Sequence, residues 1–576
     1  MVHNNPSRTN ARAQPRRTIT SLRRQAKGLS SPDRPHAAAY KLLTAIAAIA
    51  AIAGCTHVAG APAGARHAWT IPHVLRLADV ADPDSLDPLL STMDLSYDLS
   101  SLVFSYLVIA RRDGSAAGDL ATTVPSLANG GVSADGRTYT YHLRKGVLWQ
   151  DGFALTSRDV AFSWRAIMSP RNNVLHREGY EEVRSIDTPD PGTVVVHLRR
   201  RYPPFVSEFF TTLQEGAKPI VPAHLLAGLA SINDAPFNAA PVGSGPFRFV
   251  RWDRGTRIVL ARNERYFKGR PKLDRVELTI LPDENTLLEV MQTHAVDMPV
   301  STSPLVWDRL RGAAGIATRL DPWNSQMLLA LDDARPALRD LDVRRAIAAA
   351  IDYRAIIDKL TYGSGEVASD VVAPSSLGFA GNAPYGYDPG RARALLDGAG
   401  WRAGPDGKRR KGGAMLDLVM VVAAKGSGPL YAVQLQQMLS DVGIDVTIKT
   451  YPYKGIYAYD GPIVTGRYDL ALFANTLPYD PDRTSTLTCD RFAPTGENEF
   501  RFCDRRLDEL ERAGLSTDDP RTRAAIYRRA GRLIHDEVPY IPLFAQRRPA
   551  AMNDDLRGYD PSPAAAPWWN AWTWEI

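Results

Sequence analysis

Ser133-Ala134-Asp135-Gly136-Arg137-Thr138-Tyr139-Thr140-Tyr141-His142-Leu143-Arg144-Lys145-Gly146-Val147-Leu148-Trp149-Gln150-Asp151-Gly152 carries two turns and a strand in one short span. Asp135-Gly136 is a turn pair, because glycine accepts backbone angles that a Cβ forbids. Thr138 to Leu143 alternates side chains on a period of two, which predicts a strand with one buried face. Trp149 is expected to pack under the second turn, Asp151-Gly152. Thr156-Ser157-Arg158-Asp159 then predicts a helix start, with Thr156 as N-cap and Asp159 at the third helical position. Val160, Phe162 or Ala161, Trp164 and Ile167 would form its apolar face. Strand, turn and capped helix in this order point to a mixed α/β chain.

The pattern continues on both sides. Val74-Leu75-Arg76-Leu77-Ala78 predicts a strand that runs into the turn-rich Asp82-Pro83-Asp84-Ser85-Leu86-Asp87-Pro88. A strand is expected over 193–198, and 247–250 with 257–260 flank the turn Asp253-Arg254-Gly255 as a hairpin. Beyond residue 340 helices dominate. The apolar spacing of Ala346, Ile347, Ala350, Ile351, Ile356 and Ile357 predicts one helix over 342–360. Helices are also expected over 389–399, stopped by Gly400, and over 504–511 and 520–537. A strand over 416–422, a helix over 430–442 and a strand over 444–448 read as a βαβ unit.

The N-terminal region places the protein in a compartment. Lys41 precedes an apolar run, 42–53, and Ile52-Ala53-Gly54-Cys55 reads as a lipobox. The run is too short to span a bilayer, which takes roughly 20 apolar residues. Residues 1–54 are therefore expected to be a signal peptide, Cys55 a lipidated N-terminus, and 55–70 a flexible tether rich in Gly, Ala and Pro. Residues 1–54 carry seven Arg, two Lys and one Asp, a net +8, in a chain of net +6, so the remainder is about −2. The basic character belongs to the leader, so the charge does not support a basic nucleic-acid binder. With Cys55 lipidated, Cys489 and Cys503 are expected to form a disulfide in an oxidising compartment, the alternative being two free buried thiols. The loop they close holds Pro494, Gly496 and Asn498. No His or third Cys stands nearby at ligand spacing, so no metal site is expected. The roughly 520 residues after Cys55 are too many for one core.

The ordered motifs resemble one family. Val124-Pro125-Ser126-Leu127-Ala128 followed by Ser133 to Gly152 and Leu155-Thr156-Ser157-Arg158-Asp159-Val160 closely resembles the signature of family 5 solute-binding proteins, the peptide receptors of ABC importers. Val242-Gly243-Ser244-Gly245-Pro246-Phe247 is similar to the family's Gly-Thr-Gly-Pro-Tyr turn, and Asn263-Glu264-Arg265-Tyr266-Phe267 follows it. Val343-Arg344-Arg345-Ala346-Ile347, Ala350-Ile351-Asp352-Tyr353, Tyr387-Asp388-Pro389, Ala394-Leu395-Leu396 and Ala399-Gly400-Trp401 match further segments. These motifs specify fold: Gly243 and Gly245 are expected to supply special backbone angles, and Pro246 fixes the exit from the turn.

The resemblance implies a periplasmic-binding-protein-like α/β fold of two lobes with a hinge, mixed sheets flanked by helices and a small extra subdomain. The expected boundaries are 71–327 for lobe 1, with the subdomain at about 110–240, 328–544 for lobe 2, and 545–576 returning to lobe 1. It implies an extracytoplasmic, membrane-anchored monomer that captures a peptide or another small polar solute. Its partners would be ABC permease transmembrane subunits with cytoplasmic ATPases, and no cofactor is implied. The alternatives are a receptor for a sugar oligomer or metal chelate, or a ligand sensor for a membrane signalling partner.

The segment that contacts ligand in the family departs from the family pattern here. It reads Tyr468-Asp469-Leu470-Ala471-Leu472-Phe473-Ala474-Asn475-Thr476-Leu477-Pro478-Tyr479-Asp480-Pro481. Peptide receptors place an acidic residue three positions before the acidic-Pro step, where it holds the α-ammonium. Leu477 stands there, and Ala474 takes the tryptophan position. Asn475, Thr476, Leu477, Tyr479, Asp480 and Phe473 remain candidate ligand contacts, with Asp480 either a substitute carboxylate or a turn residue capping Asp482-Arg483. Phe544, on the return crossing Val538-Pro539-Tyr540-Ile541-Pro542-Leu543-Phe544, is a candidate for the cleft edge.

Catalysis is not expected. There is no H-E-x-x-H, G-x-S-x-G or P-loop, and Pro246-Phe247 would block the helix that follows a nucleophile elbow at Ser244. Asp82, Asp84 and Asp87 read as a solvated turn. Trp568, Trp569, Trp572 and Trp574 are expected in a final strand packed on lobe 1, or as an exposed interfacial group.

Overall fold

The computed structural model describes residues 66–576, apart from 92, 175–176, 214–215, 369, 371, 425 and 565. The signal peptide, Cys55 and most of the expected tether therefore lie outside the described residues. Residues 66–70, assigned above to the tether, are docked instead. Thr70 is buried and donates to Asp555 at 2.6 Å, and the His67 backbone N–H donates to the same carboxylate at 2.7 Å.

Two large sheets organise the fold. The first has five strands in the order Met298–Pro299, Val74–Asp79, Arg275–Ile280, Arg257–Arg262, Phe247–Asp253. The second has six, in the order Gly365–Glu366, Tyr540–Asn553, Ile316–Leu331, Leu470–Thr476, Asp417–Ala423, Asp445–Tyr451. Its last two strands run parallel and are joined by the helix Gly428–Ser440, the expected βαβ unit. A three-stranded sheet of Thr138–His142, Thr193–Leu198 and Val183–Asp190 carries the sequence that opened the reading. Its Tyr139 and Tyr141 are buried and Thr138 and Thr140 less so, as the alternation requires.

The long strands Ile316–Leu331 and Tyr540–Asn553 pair antiparallel along their length, with an irregularity between Asp321 and Ser325. Leu328 to Leu331 and Ile541 to Phe544 supply the cores around the second sheet. Ile316, Ala551 and Met552 supply those around the first. The same two strands thus serve both halves of the molecule. The C-terminal aromatics follow them into the first core. Trp568 and Trp574 are almost fully buried, on either side of a short 3-10 turn, Ala571–Thr573, and not in a strand.

Two helices differ from expectation. The apolar stripe over 342–360 is split into Leu341–Ala350 and Tyr353–Leu360. Asp352 breaks it, since its carboxylate accepts from the Ala355 N–H at 3.0 Å and caps a new helix. The Thr156 start behaves as read: the Thr156 N–H donates to Asp159 at 2.8 Å and Ser157–Met168 is helical.

The family-like motifs meet at one place. Trp149 is buried in the first core, where a ring of that size contributes about 3–5 kcal/mol. Beside it, the Gln150 side chain accepts from the Gly243 N–H at 3.0 Å and donates to the Phe247 carbonyl at 2.7 Å. The Asn263 side chain donates to the Gly245 carbonyl at 2.9 Å. Gly243 and Gly245 are not among the residues with positive φ, contrary to the expectation of special angles. Glycine is required here by close approach. A Cβ on Gly243 would stand 1.8 Å from the Val103 carbonyl oxygen, and one on Gly245 2.6 Å from the Val103 carbonyl carbon.

The turn after Val74–Asp79 is less solvated than expected. Asp82 accepts from the Trp252 indole at 3.1 Å and the Gly255 N–H at 3.0 Å. Asp87 is fully buried, with one carboxylate oxygen on the Leu89 N–H and the other unpartnered.

Candidate functional site

The strand Leu470–Thr476 lies inside the second sheet, antiparallel to Ser325 to Leu331 and parallel to Met420 to Val422. Leu470 to Leu472 are buried, and the strand then opens: Phe473, Asn475 and Thr476 are half-buried and Ala474 is exposed. The chain leaves the sheet at Leu477, whose N–H donates to the Asn324 carbonyl at 2.8 Å and whose side chain is buried. Tyr479 is half-buried and packs against the first core, so this exit loop reaches from one half of the molecule to the other.

Asp480 is committed to the protein itself. The Arg523 guanidinium donates to both its oxygens, at 2.7 Å and 2.9 Å, and both side chains are buried. Asp480 also accepts from the Asp482 N–H at 3.1 Å, which is the turn-capping alternative. The paired carboxylate holds Arg523 above its ordinary range against the opposing cost of burial. A buried bidentate pair of this kind is strong, and with the Asp482 N–H it fills three of the roughly four acceptor positions on the carboxylate.

A cavity of about 270 Å³ opens where the strand ends, with Phe473, Asn475, Thr486, Glu499, Phe500 and Tyr540 on its wall and Arg483, Leu487 and Glu497 completing it. Part of that wall is the loop between Cys489 and Cys503, which are joined by a disulfide, as one of the two sequence alternatives had it. Inside the loop Asn498 is fully buried, and its amide donates to the Thr488 carbonyl at 3.0 Å and the Phe502 carbonyl at 2.7 Å. This anchors the backbone and turns the neighbouring Glu497 and Glu499 to the cavity. Burial, reinforced by Glu497, pushes the Glu499 carboxyl up to about 7. Burial, with the Glu178 carboxyl beside it, raises Glu497 as well.

Of the residues named from the sequence, Phe473 and Asn475 line this cavity, Leu477 and Tyr479 follow in the exit loop, and Thr476 closes the strand opposite Ser325. Phe544 is not at a cleft edge. It is buried in the second core against the Tyr431 ring, 5.5 Å between centroids, because the crossing strand turns that face inward. Arg523, Glu497 and Glu499 were not singled out from the sequence; two glutamates flanking an asparagine inside a cysteine-closed loop were the available signal.

Among the described residues, one group brings three candidate metal-ligating side chains within 4.8 Å: His67, Asp554 and Asp555. They satisfy one another and their surroundings, through His67 to Asp554 at 2.6 Å and Thr70 to Asp555 at 2.6 Å. No described helix is long and apolar enough to cross a membrane.

Two sheets, with two long strands of the second feeding the cores around both and a cavity at a strand end, make an α/β scaffold of the periplasmic-binding-protein class. The pattern described as bacterial extracellular solute-binding proteins, family 5 Middle, matches residues 122–492, and the chain belongs to that family. A probable di/tripeptide-binding protein 5 of Pseudomonas aeruginosa is 27% identical over 474 residues, covering 77% of this chain and 85% of that protein. A nickel-binding periplasmic protein of Escherichia coli is 27% identical over 460 residues, covering 77% and 83%. The oligopeptide-binding protein AppA of Bacillus subtilis, solved with a nonapeptide, superimposes with a TM-score of 0.70 at 24% identity, over 87% of this chain and 98% of that one.

Proposed function

We propose that this chain is the extracytoplasmic substrate-binding component of an ABC importer, that it captures a peptide-like solute without transforming it, and that it hands the solute to a membrane permease. The cavity lined by Phe473 and Asn475 carries this reading, because it lies at the strand end that contacts ligand in the family. Relatives named for di- and tripeptide binding support it. The two sheets are read as the cores of two lobes, 71–327 and 328–544, with a small subdomain at about 110–240 and 545–576 returning to the first. The crossing strands Ile316–Leu331 and Tyr540–Asn553 are read as the hinge. Asn475, Thr476, Leu477, Tyr479 and Phe473 are the proposed ligand contacts. Cys55 is the proposed lipid anchor, which would keep a monomer beside transmembrane permease subunits and their cytoplasmic ATPases.

Leu477 favours a second reading. An apolar side chain replaces the expected ammonium-holding carboxylate, and one relative is named for nickel, so a non-peptide solute such as a metal chelate is the competitor. Native mass spectrometry of protein isolated from its natural host separates the two. A mixture of co-purifying peptide masses is expected, and a single non-peptide mass would overturn the peptide reading.

A further inference from the structure

The turn Ala134-Asp135-Gly136, just before the strand Thr138–His142, meets the turn Ser516-Thr517-Asp518 between the helices Arg505–Leu515 and Pro520–Glu537. Arg201 stands between the two. Its guanidinium donates to the Ala134 and Asp135 carbonyls, each at 3.2 Å, and to the Ser516 carbonyl at 2.9 Å. It also lies 3.3 Å from the Asp518 carboxylate, whose side chain is only 10% exposed. The approach is so close that a Cβ on Gly136 would stand 2.5 Å from that carboxylate. Leu515, at the end of its helix, packs against the first core.

Both sides of this contact are held from behind. Asp135 accepts from the Ser133 hydroxyl at 2.6 Å and the Arg137 N–H at 3.1 Å, which fixes the first turn. The buried Arg523, paired with Asp480, donates to the Gly514 carbonyl at 3.1 Å, which fixes the approach to the second. One planar guanidinium with donors in a rigid fork thus joins segments 315 positions apart. Arg201, Ser516 and Asp518 are not on the wall of the cavity beside Asn475. The contact therefore forms with the approach of the two halves and touches no solute in that cavity.

We infer that Arg201 is the bolt of a latch between the two halves, that the Ser516 carbonyl and the Asp518 carboxylate are its catch, and that the latch sets how long a captured solute is retained. The inference rests on the reading of two lobes hinged on the crossing strands, and adds to it affinity-setting residues remote from the ligand. A contact made only in the closed arrangement raises the closed fraction, and apparent affinity follows that fraction. Since the latch touches no solute, breaking it speeds the release of every solute by one common factor. Loss of a cavity contact instead discriminates between solutes.

Hydrogen exchange of the ligand-free full chain in detergent tests the contact, with Arg201→Met and, independently, Asp518→Asn. Either variant should speed exchange about 5-fold over both 133–138 and 514–519, with 193–198 and 342–350 unchanged, and the double variant should add nothing further. A rise confined to 133–138 in Arg201→Met means that Arg201 only braces its own turn, and overturns the inference. No rise in either segment, or a rise spread over the whole chain in both variants, overturns it too. Stopped-flow release of Ala-Ala-Ala and of Ala-Phe-Ala tests what the latch does. Both should leave the variants about 5-fold faster than wild type, by the same factor, with association nearly unchanged. Unchanged release, or faster release of one peptide alone, overturns the inference and leaves the peptide reading standing. If neither tripeptide binds the wild type, the peptide reading falls, and the exchange result alone decides the latch.

Discussion

The turn at Val242 to Phe247 and the loop between Cys489 and Cys503 each rest on one amide side chain. Gln150 ties the first to its neighbours, accepting from Gly243 and donating to Phe247. Asn498 ties the second, donating to Thr488 and Phe502. What surrounds the amide differs. In the turn, backbone presses on backbone, and glycines at 243 and 245 admit no side chain against Val103. In the loop, the residues on either side of the amide are glutamates facing a cavity. One fixed turn is spent on holding the scaffold together, and the other on presenting charge.

The sharpest way to break this comparison is Gly243→Ala. A Cβ 1.8 Å from the Val103 carbonyl oxygen forces the backbone apart, and a loss of about 4 kcal/mol or more is expected in urea unfolding. A loss below 1 kcal/mol would mean that the turn yields. Next is Arg523→Met, which strands the buried Asp480 carboxylate and should cost about 3–5 kcal/mol. Adding Asp480→Leu should recover most of that, showing that the pair is structural.

Opening the Cys489–Cys503 loop with Cys489→Ser is expected to cost about 3 kcal/mol on the chain-entropy estimate. The cavity wall that this loop supplies would also lose its fixed placement, so peptide affinity should fall with stability. A variant that loses stability but binds unchanged would separate loop from site.

The smallest effect expected is pH-dependent. Burial pushes Asp87 up to about 7, above its ordinary value of 3.8. The folded state therefore holds this proton between those two values while the unfolded state releases it. Stability falls as pH rises through 7 and is regained toward pH 5. Asp98, pushed up by burial to about 8 despite Arg548, acts in the same direction. Asp87→Asn should flatten roughly 1–3 kcal/mol of that slope, measured by unfolding at pH 5 and pH 8.

Local structure was legible where neighbours in sequence decide it. The strand Thr193–Leu198 and the helix Pro520–Glu537 have the bounds that their alternation and caps predict. The family motifs gave the α/β scaffold, because they specify backbone contacts. Legibility ended where a residue's partner is distant. Asp480 looked free for a ligand because Arg523 lies 43 positions on. Phe544 looked like a cleft residue because nothing in its own segment says which face of a crossing strand turns inward. The continuous apolar stripe hid the break at Asp352, since periodicity counts apolar positions and not caps. Glu497 and Glu499 were silent because charge in a loop is ordinarily solvated, and only the folded cavity shows that both stand on its wall.

The most direct test of the account is hydrogen exchange of the full chain with and without a di- and tripeptide mixture, read segment by segment. Peptide should slow exchange over 470–482 and 489–503 and leave 147–152 and 242–247 unchanged. Protection confined to 242–247, or no change at 489–503, would contradict it.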